Sequence, residues 1–289
     1  MRFLSFAVGD YSSFGAVTDG GIVDLGRLFG DERATLGAVL RAGELPRAMA
    51  LAAGTKPTIA LDEIRYLPTI TDPEKIACIG INYGNRNEEY KDGAEAPRYP
   101  SVFMRTPGSL VGHAEPIVKP PESDQLDYEG EIVLVIGKAG RRIAAADAWS
   151  HVAGLALMNE GSVRDWLRHS KFNVTPGKNF ERSGSLGPWL VTADEIPADA
   201  VLHLTTRVNG ELRQDDTTAN LIFPFAKLIE YLSSFMRLTP GDLIATGTPT
   251  GAGARFDPPK YLRGGDTVEV HVAELGTLRN VVVDETPPT

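Results

Sequence analysis

Apolar positions along the chain fall into short blocks cut by glycine, proline and charged residues, a spacing that suits strands better than long helices. RFLSFAV at 2–8, GAVTDG at 15–20 and GIVDLG at 21–26 predict strands and turns. ATLGAVLRAG at 34–43 and LPRAMALAAG at 45–54 predict helices. The stretch 55–75 carries Pro57, Pro68 and Pro73 and reads as a connector, which sets a boundary near residue 72. Two units follow: a small N-terminal α/β domain at 1–72 and a larger domain at 73–289.

Strand patterns dominate the larger unit. They are KIACIGINYG (75–84), SVFMR (101–105), EIVLVIG (131–137), VAGLALM (152–158), PWLVT (188–192), LHLTTRVNGELRQ (202–214), DLIATG (242–247) and TVEVHVAELGTLRNVVVDE (267–285). Asn209-Gly210, between two alternating runs, predicts a tight hairpin turn. Helices are expected at ADAWSHVAG (146–154) and at IFPFAKLIEYLSSFMRL (222–238), the second stopped by Thr239-Pro240-Gly241-Asp242. The polar segment 84–100 is rich in charge and turn residues and is a candidate lid. The pattern predicts an α+β fold, mostly β, in which a rolled sheet is covered by a few helices.

Charge and cysteine content narrow the function classes. The 29 Lys and Arg against 38 Asp and Glu give a net charge of −9, with no long basic run. A nucleic-acid partner therefore has no electrostatic support. Cys78 is the single cysteine, so no disulfide can form within the chain, as suits a reducing compartment. No apolar run approaches the roughly 20 residues that span a bilayer. A cytoplasmic protein with no membrane partner is the expectation.

The candidate chemistry starts at Asp127-Tyr128-Glu129-Gly130-Glu131, which runs directly into IVLVIG. In a strand, residues two apart share a face, so three carboxylates would gather beside a buried sheet. A solvated strand end is the plain alternative, but the apolar run brings at least Glu131 to the core. Converging buried carboxylates have raised pKa values or hold a cation. Glu160 ends another apolar strand and is a candidate third ligand. The five histidines show no zinc-type spacing, so oxygens would hold the metal, which favours Mg²⁺ or Mn²⁺. Lys178, in the Gly/Pro loop TPGKNF, reads alone as a surface lysine. ATGTPTGAG at 245–253 follows a strand and could offer N–H groups and hydroxyls to an anion.

In order, IGINY, FMRTPGSLVG, DYEGEIVLVIG, NEGSVRDW, TPGKNF, GPWLVT, VNGELRQ and ATGTPTGAG resemble the fumarylacetoacetate hydrolase superfamily over roughly residues 76–285. The branch resembled holds bacterial acylpyruvases and 2-hydroxyhepta-2,4-diene-1,7-dioate isomerases. The resemblance implies a mixed β-roll behind a small N-terminal domain, a homodimer, and Mg²⁺ or Mn²⁺ on Glu129, Glu131 and Glu160. Many relatives have Asp at the third ligand position. It implies catalytic roles for Lys178, Glu89 and Arg86. Thr248, Gly247, Tyr83, Arg164 and Asp165 fall at substrate-binding or buttressing positions, with Thr248 meeting a substrate carboxylate.

The implied substrate is a small 2-oxo acid, and the first reading is metal-dependent C–C hydrolysis of an acylpyruvate, as in aromatic catabolism. Two departures open a second reading. Arg86 stands where hydrolytic relatives carry a water-activating His, and an arginine stays protonated near neutral pH. Trp166-Leu167 stand where many relatives have Gln. An isomerase or tautomerase, a decarboxylase or a hydratase of a dicarboxylic 2-oxo acid therefore stays open, as does a catalytically idle binding protein. Arg86 could equally hold a second substrate carboxylate.

Overall fold

The computed structural model describes residues 1–84, 97–169 and 173–286. The first strands are β1 (Arg2–Val8), β2 (Tyr11–Thr18), β3 (Gly21–Asp24) and the short β4 (Arg65–Tyr66). The middle of the chain supplies β5 (Ile76–Ile79), β6 (Val102–Arg105), β7 (Leu110–Val111), β8 (Ile117–Lys119), β9 (Leu126–Asp127), β10 (Gly130–Ile136), β11 (Val152–Asn159) and β12 (Ser162–Val163). The last strands are β13 (Gly184–Thr192), β14 (His203–Val208), β15 (Glu211–Thr217), β16 (Leu243–Ala245), β17 (Thr267–Val272) and β18 (Gly276–Asp284). Helices are α1 (Leu25–Phe29), α2 (Leu36–Arg41), α3 (Leu45–Gly54), α4 (Thr175–Lys178) and α5 (Phe225–Phe235).

The larger sheet runs β3-β2-β1-β13-β11-β10-β16-β5-β6, with β4 beside β1 and β7 beside β13. A second sheet runs β15-β14-β17-β18-β8, and β9 pairs with β12. The mostly-β α+β class read from the sequence is thus the observed one. The N-terminal strands belong to the larger sheet through β1 and β13, where Arg2 lies opposite Val191. Phe3, Phe14, Leu36 and Leu40 share one core with Val133, Val135 and Met158 from beyond residue 72.

β10 and β11 are buried along their whole length because both faces are covered. Val133, Val135, Ala156 and Met158 pack toward the N-terminal helices. Ile132, Leu134, Leu155 and Leu157 pack on the other side against Leu204 and Val270 of the second sheet and Ile229 of α5. This is why IVLVI at 132–136 is continuously apolar and does not alternate. Asn209 and Gly210 both have positive φ, as the predicted tight hairpin requires. Among the described residues, no helix is long and apolar enough to cross a membrane.

Two expectations need correction. Residues 146–154 are not one helix: a 3₁₀ helix covers Ala145–His151, and Val152 already begins β11. Its Val-Ala-Gly belongs to the fully buried strand, and that burial outweighs local helix propensity. The DYEGE stretch is not one strand either. β9 ends at Asp127 and β10 begins at Gly130, so Asp127 does not share the direction of the two glutamates.

A buried carboxylate cluster at the ends of two neighbouring strands

β10 and β11 are antiparallel neighbours, with Gly130 opposite Asn159. The entry to β10 and the exit of β11 therefore meet, and Glu129 and Glu131 come beside Glu160. The local backbone enforces this. The Glu160 N–H donates to the Glu129 carbonyl at 2.7 Å, and Asn159 Oδ1 accepts from the Glu129 N–H at 3.0 Å. One carboxylate oxygen from each of Glu129, Glu131 and Glu160 lies within 4.8 Å of the other two. It is the one such cluster among the described residues, and all three side chains are buried.

Two cations and several neutral donors hold the cluster. Lys178 bonds Glu129 Oε2 and, at 3.0 Å, Glu160 Oε2. α4 ends at this lysine, and its Nζ also lies 4.9 Å from the centre of the Phe103 ring. Arg164 forks across Asp127 and Glu129, at 2.7 Å from Oδ2 and 2.9 Å from Oε1. Ser162 Oγ donates to Glu129 at 3.0 Å. The Gly247 N–H donates to Glu131 at 2.9 Å. Asp127 instead caps the Gly253 and Ala254 amides at 2.8 and 3.0 Å. Glu160 Oε1 is buried and accepts no hydrogen bond from the described residues.

Four carboxylates thus face two cations, and the surplus negative charge appears at Glu131. Burial, then the Glu160 and Glu129 charges, push its pKa well above the usual carboxylate range, against the pull of the Gly247 N–H and Lys178. Burial works against the charged form of Lys178, but Glu129 and Glu160 outweigh it and hold its pKa above that of free lysine. Arg164 is held the same way by Glu129 and Asp127. A divalent cation suits this donor set. The donors are hard oxygens, the charge is in surplus, and a buried oxygen of Glu160 accepts no hydrogen bond among the described residues.

The other sequence-predicted residues divide clearly. Gly247 reaches the cluster through its backbone and needs φ +101°, and a Cβ there would meet the Asn82 Cβ at 2.7 Å. Tyr83 is buried, and burial, Asp216 and Glu131 in turn raise its phenol. Thr248 is buried next to Gly247 and accepts from Gln214. Asp165 is engaged elsewhere, by Ser123 at 2.7 Å and the Trp166 N–H at 3.1 Å. Arg86 and Glu89 lie outside the described residues. Asn159 and Ser162 escaped the sequence reading of the site. Only their nearness to the ligand motifs could have flagged them. An apolar cavity of about 400 Å³ between residues 145–149 and α5 is lined by none of the three glutamates.

The profile described as "Fumarylacetoacetate (FAA) hydrolase C-terminal" matches residues 75–283, and the chain belongs to that family. An oxaloacetate tautomerase of Bacillus subtilis (YisK) is 43% identical over 227 residues, covering 77% of this chain and 74% of the relative. A human mitochondrial oxaloacetate tautomerase (FAHD2B) is 35% identical over 290 residues, covering 98% of this chain and 92% of the relative. The crystal structure of maleylpyruvate hydrolase from Sphingobium sp. SYK-6, in complex with manganese(II) and pyruvate, superposes with a TM-score of 0.81. It is 27% identical to this chain and covers 99% of it and 100% of its own length.

Proposed function

We propose that the protein is a divalent-cation-dependent tautomerase of a dicarboxylic 2-oxo acid, with oxaloacetate as the first candidate substrate. The observation that carries it is the buried amine of Lys178 set between Glu129 and Glu160 inside a three-carboxylate cluster. Two tautomerase relatives above 30% identity support the choice of reaction. Hydrolysis, the first reading of the sequence, requires a group that activates water. The usual histidine position holds Arg86, which stays protonated.

Glu129, Glu131 and Glu160 would hold the cation. When bound, it would supply charge neutralisation and Lewis-acid polarisation of a 2-oxo group. The protein's own groups do the rest. Gly247 and Arg164 hold Glu131 and Glu129 in place, so the carboxylates need no reorganisation. Thr248 offers a hydroxyl to the substrate carboxylate. Lys178 holds a proton at Nζ and handles the transfer: the ammonium gives its proton to the 2-oxo oxygen, the neutral amine so formed takes one from C3 to leave the enol, and the reverse sequence restores the ketone and the ammonium. No atom is gained or lost, so no water-activating base is needed.

The test follows enol absorbance and released pyruvate in the same sample, with Mn²⁺ or with a chelator. Chelator-sensitive acceleration of enol–keto exchange without pyruvate supports the reading. Pyruvate release from acylpyruvates with unaccelerated exchange of oxaloacetate would replace it by the hydrolase. The manganese- and pyruvate-bound hydrolase of the same fold keeps that second reading in play.

A further inference from the structure

Gln214 lies on β15, in the sheet opposite the one that carries the glutamates, and its side chain is 1% exposed. A buried amide is tolerable only when its groups are paired. Oε1 accepts from the N–H of Gly130, the residue between Glu129 and Glu131, at 2.9 Å. Nε2 donates to Thr248 Oγ1 at 2.8 Å and to the Pro249 carbonyl at 2.9 Å. One amide therefore ties the ligand-bearing segment to the loop whose Gly247 N–H holds Glu131.

The partners also determine which way round the amide sits. The Gly130 N–H can only donate and the Pro249 carbonyl can only accept, so a flipped amide would set like groups against like at both. Thr248 must then accept from Nε2, and its own hydroxyl proton is left to donate elsewhere. Among the described residues that proton goes to no acceptor.

We propose that Gln214 is a positioning residue that fixes the Thr248 hydroxyl as a hydrogen-bond donor toward a carboxylate oxygen of the substrate. This rests on the reading that Thr248 meets that carboxylate. A hydroxyl free to rotate would accept as readily as donate. One committed as a donor prefers an anionic oxygen to an amide N–H.

The probe is oxalate, titrated calorimetrically into Mn²⁺-loaded protein. A hydrogen bond to a charged group is worth about 1.5–3 kcal/mol, so Gln214→Met should weaken oxalate roughly 10- to 100-fold. Thr248→Val should do the same, and the double variant should be no worse than the weaker-binding single. Gln214→Glu guards against simple misfolding. Its new carboxyl, ionised, accepts from Thr248 and turns the hydroxyl away. Protonated, its single O–H can donate to Thr248 Oγ1 in place of the amide. Relative to wild type, oxalate affinity in Gln214→Glu should therefore recover as pH falls, which a purely structural role would not produce.

Wild-type affinity in both Gln214 variants, or additive losses in the double variant, overturns the proposal. So does a wild type that ignores oxalate, or an unaffected Thr248→Val. Oxalate binding is an equilibrium readout. It is decided separately from whether oxaloacetate turns over, so failure here and failure of the tautomerase reading are told apart.

Discussion

Replacing Lys178 by Met removes an ammonium bonded to two buried carboxylates while keeping most of the side-chain volume. At 3.0 Å from Glu160, the attraction is ~5 kcal/mol at an effective dielectric constant near 20. The desolvation of three buried groups offsets much of it. Removing one partner of a buried pair leaves uncompensated charge and typically costs about 3–5 kcal/mol. For a chain of this size that is a fall in Tm on the order of 10 °C. A bound dication would compensate the same carboxylates, so Mn²⁺ should recover most of the loss. Turnover should not recover, because a positioned proton donor contributes roughly 10²- to 10⁴-fold. The assay is thermal unfolding of wild type and Lys178→Met in Mn²⁺ and in chelator, with enol–keto exchange measured alongside. An equal Tm loss in both conditions would mean that the amine does not share the cation's carboxylates. Undiminished exchange with Mn²⁺ would remove Lys178 from catalysis.

Further predictions follow from the same geometry. Glu131→Ala should abolish Mn²⁺ binding, and unchanged calorimetric affinity would refute its role as a ligand. Glu131 has a folded-state pKa above its unfolded value, so its contribution to stability is full at low pH and lost as pH rises through the folded value. In chelator, wild-type Tm should therefore decline with rising pH above the ordinary carboxylate range, and Mn²⁺ affinity should rise over the same range. A Glu131→Gln variant should lose that decline, and an identical profile would show that another group titrates. Gly247→Ala combines φ +101° with a 2.7 Å clash against Asn82, for a cost of about 1–3 kcal/mol. Urea unfolding checks it, and an unchanged midpoint would mean that the loop yields. Arg164→Met takes the guanidinium away from Asp127 and Glu129 together, so it should lower both Mn²⁺ affinity and stability. Loss of only one of the two, in paired calorimetry and melting, would separate its roles.

Much of the fold could be read along the chain because strand periodicity and turn chemistry are local. The Asn209-Gly210 hairpin and the mostly-β class follow from them. The carboxylate cluster could be read for a related reason: carboxylates next to fully apolar runs are costly, and the cost marks Glu129, Glu131 and Glu160. What distance along the sequence conceals is partnership. Lys178 alone looks like a surface lysine, yet it is 6% exposed and ends between two carboxylates from different strands. Asp127 shares spacing with Glu129 and Glu131 but turns to Arg164 and the Gly253 amide.

By itself the sequence determined which residues carry charge, which blocks are strands and which motifs hold the donors, since these depend on side-chain type and near-neighbour spacing. Only the tertiary structure decided which donors meet. Pairing β10 with β11 brings Glu160 to Glu129, and closing the second sheet over the first brings Gln214 to Gly130 and Thr248. Those contacts form because burying the two strands on both faces leaves the polar groups at their ends no water to bond, so each must find its partner from a distant part of the chain.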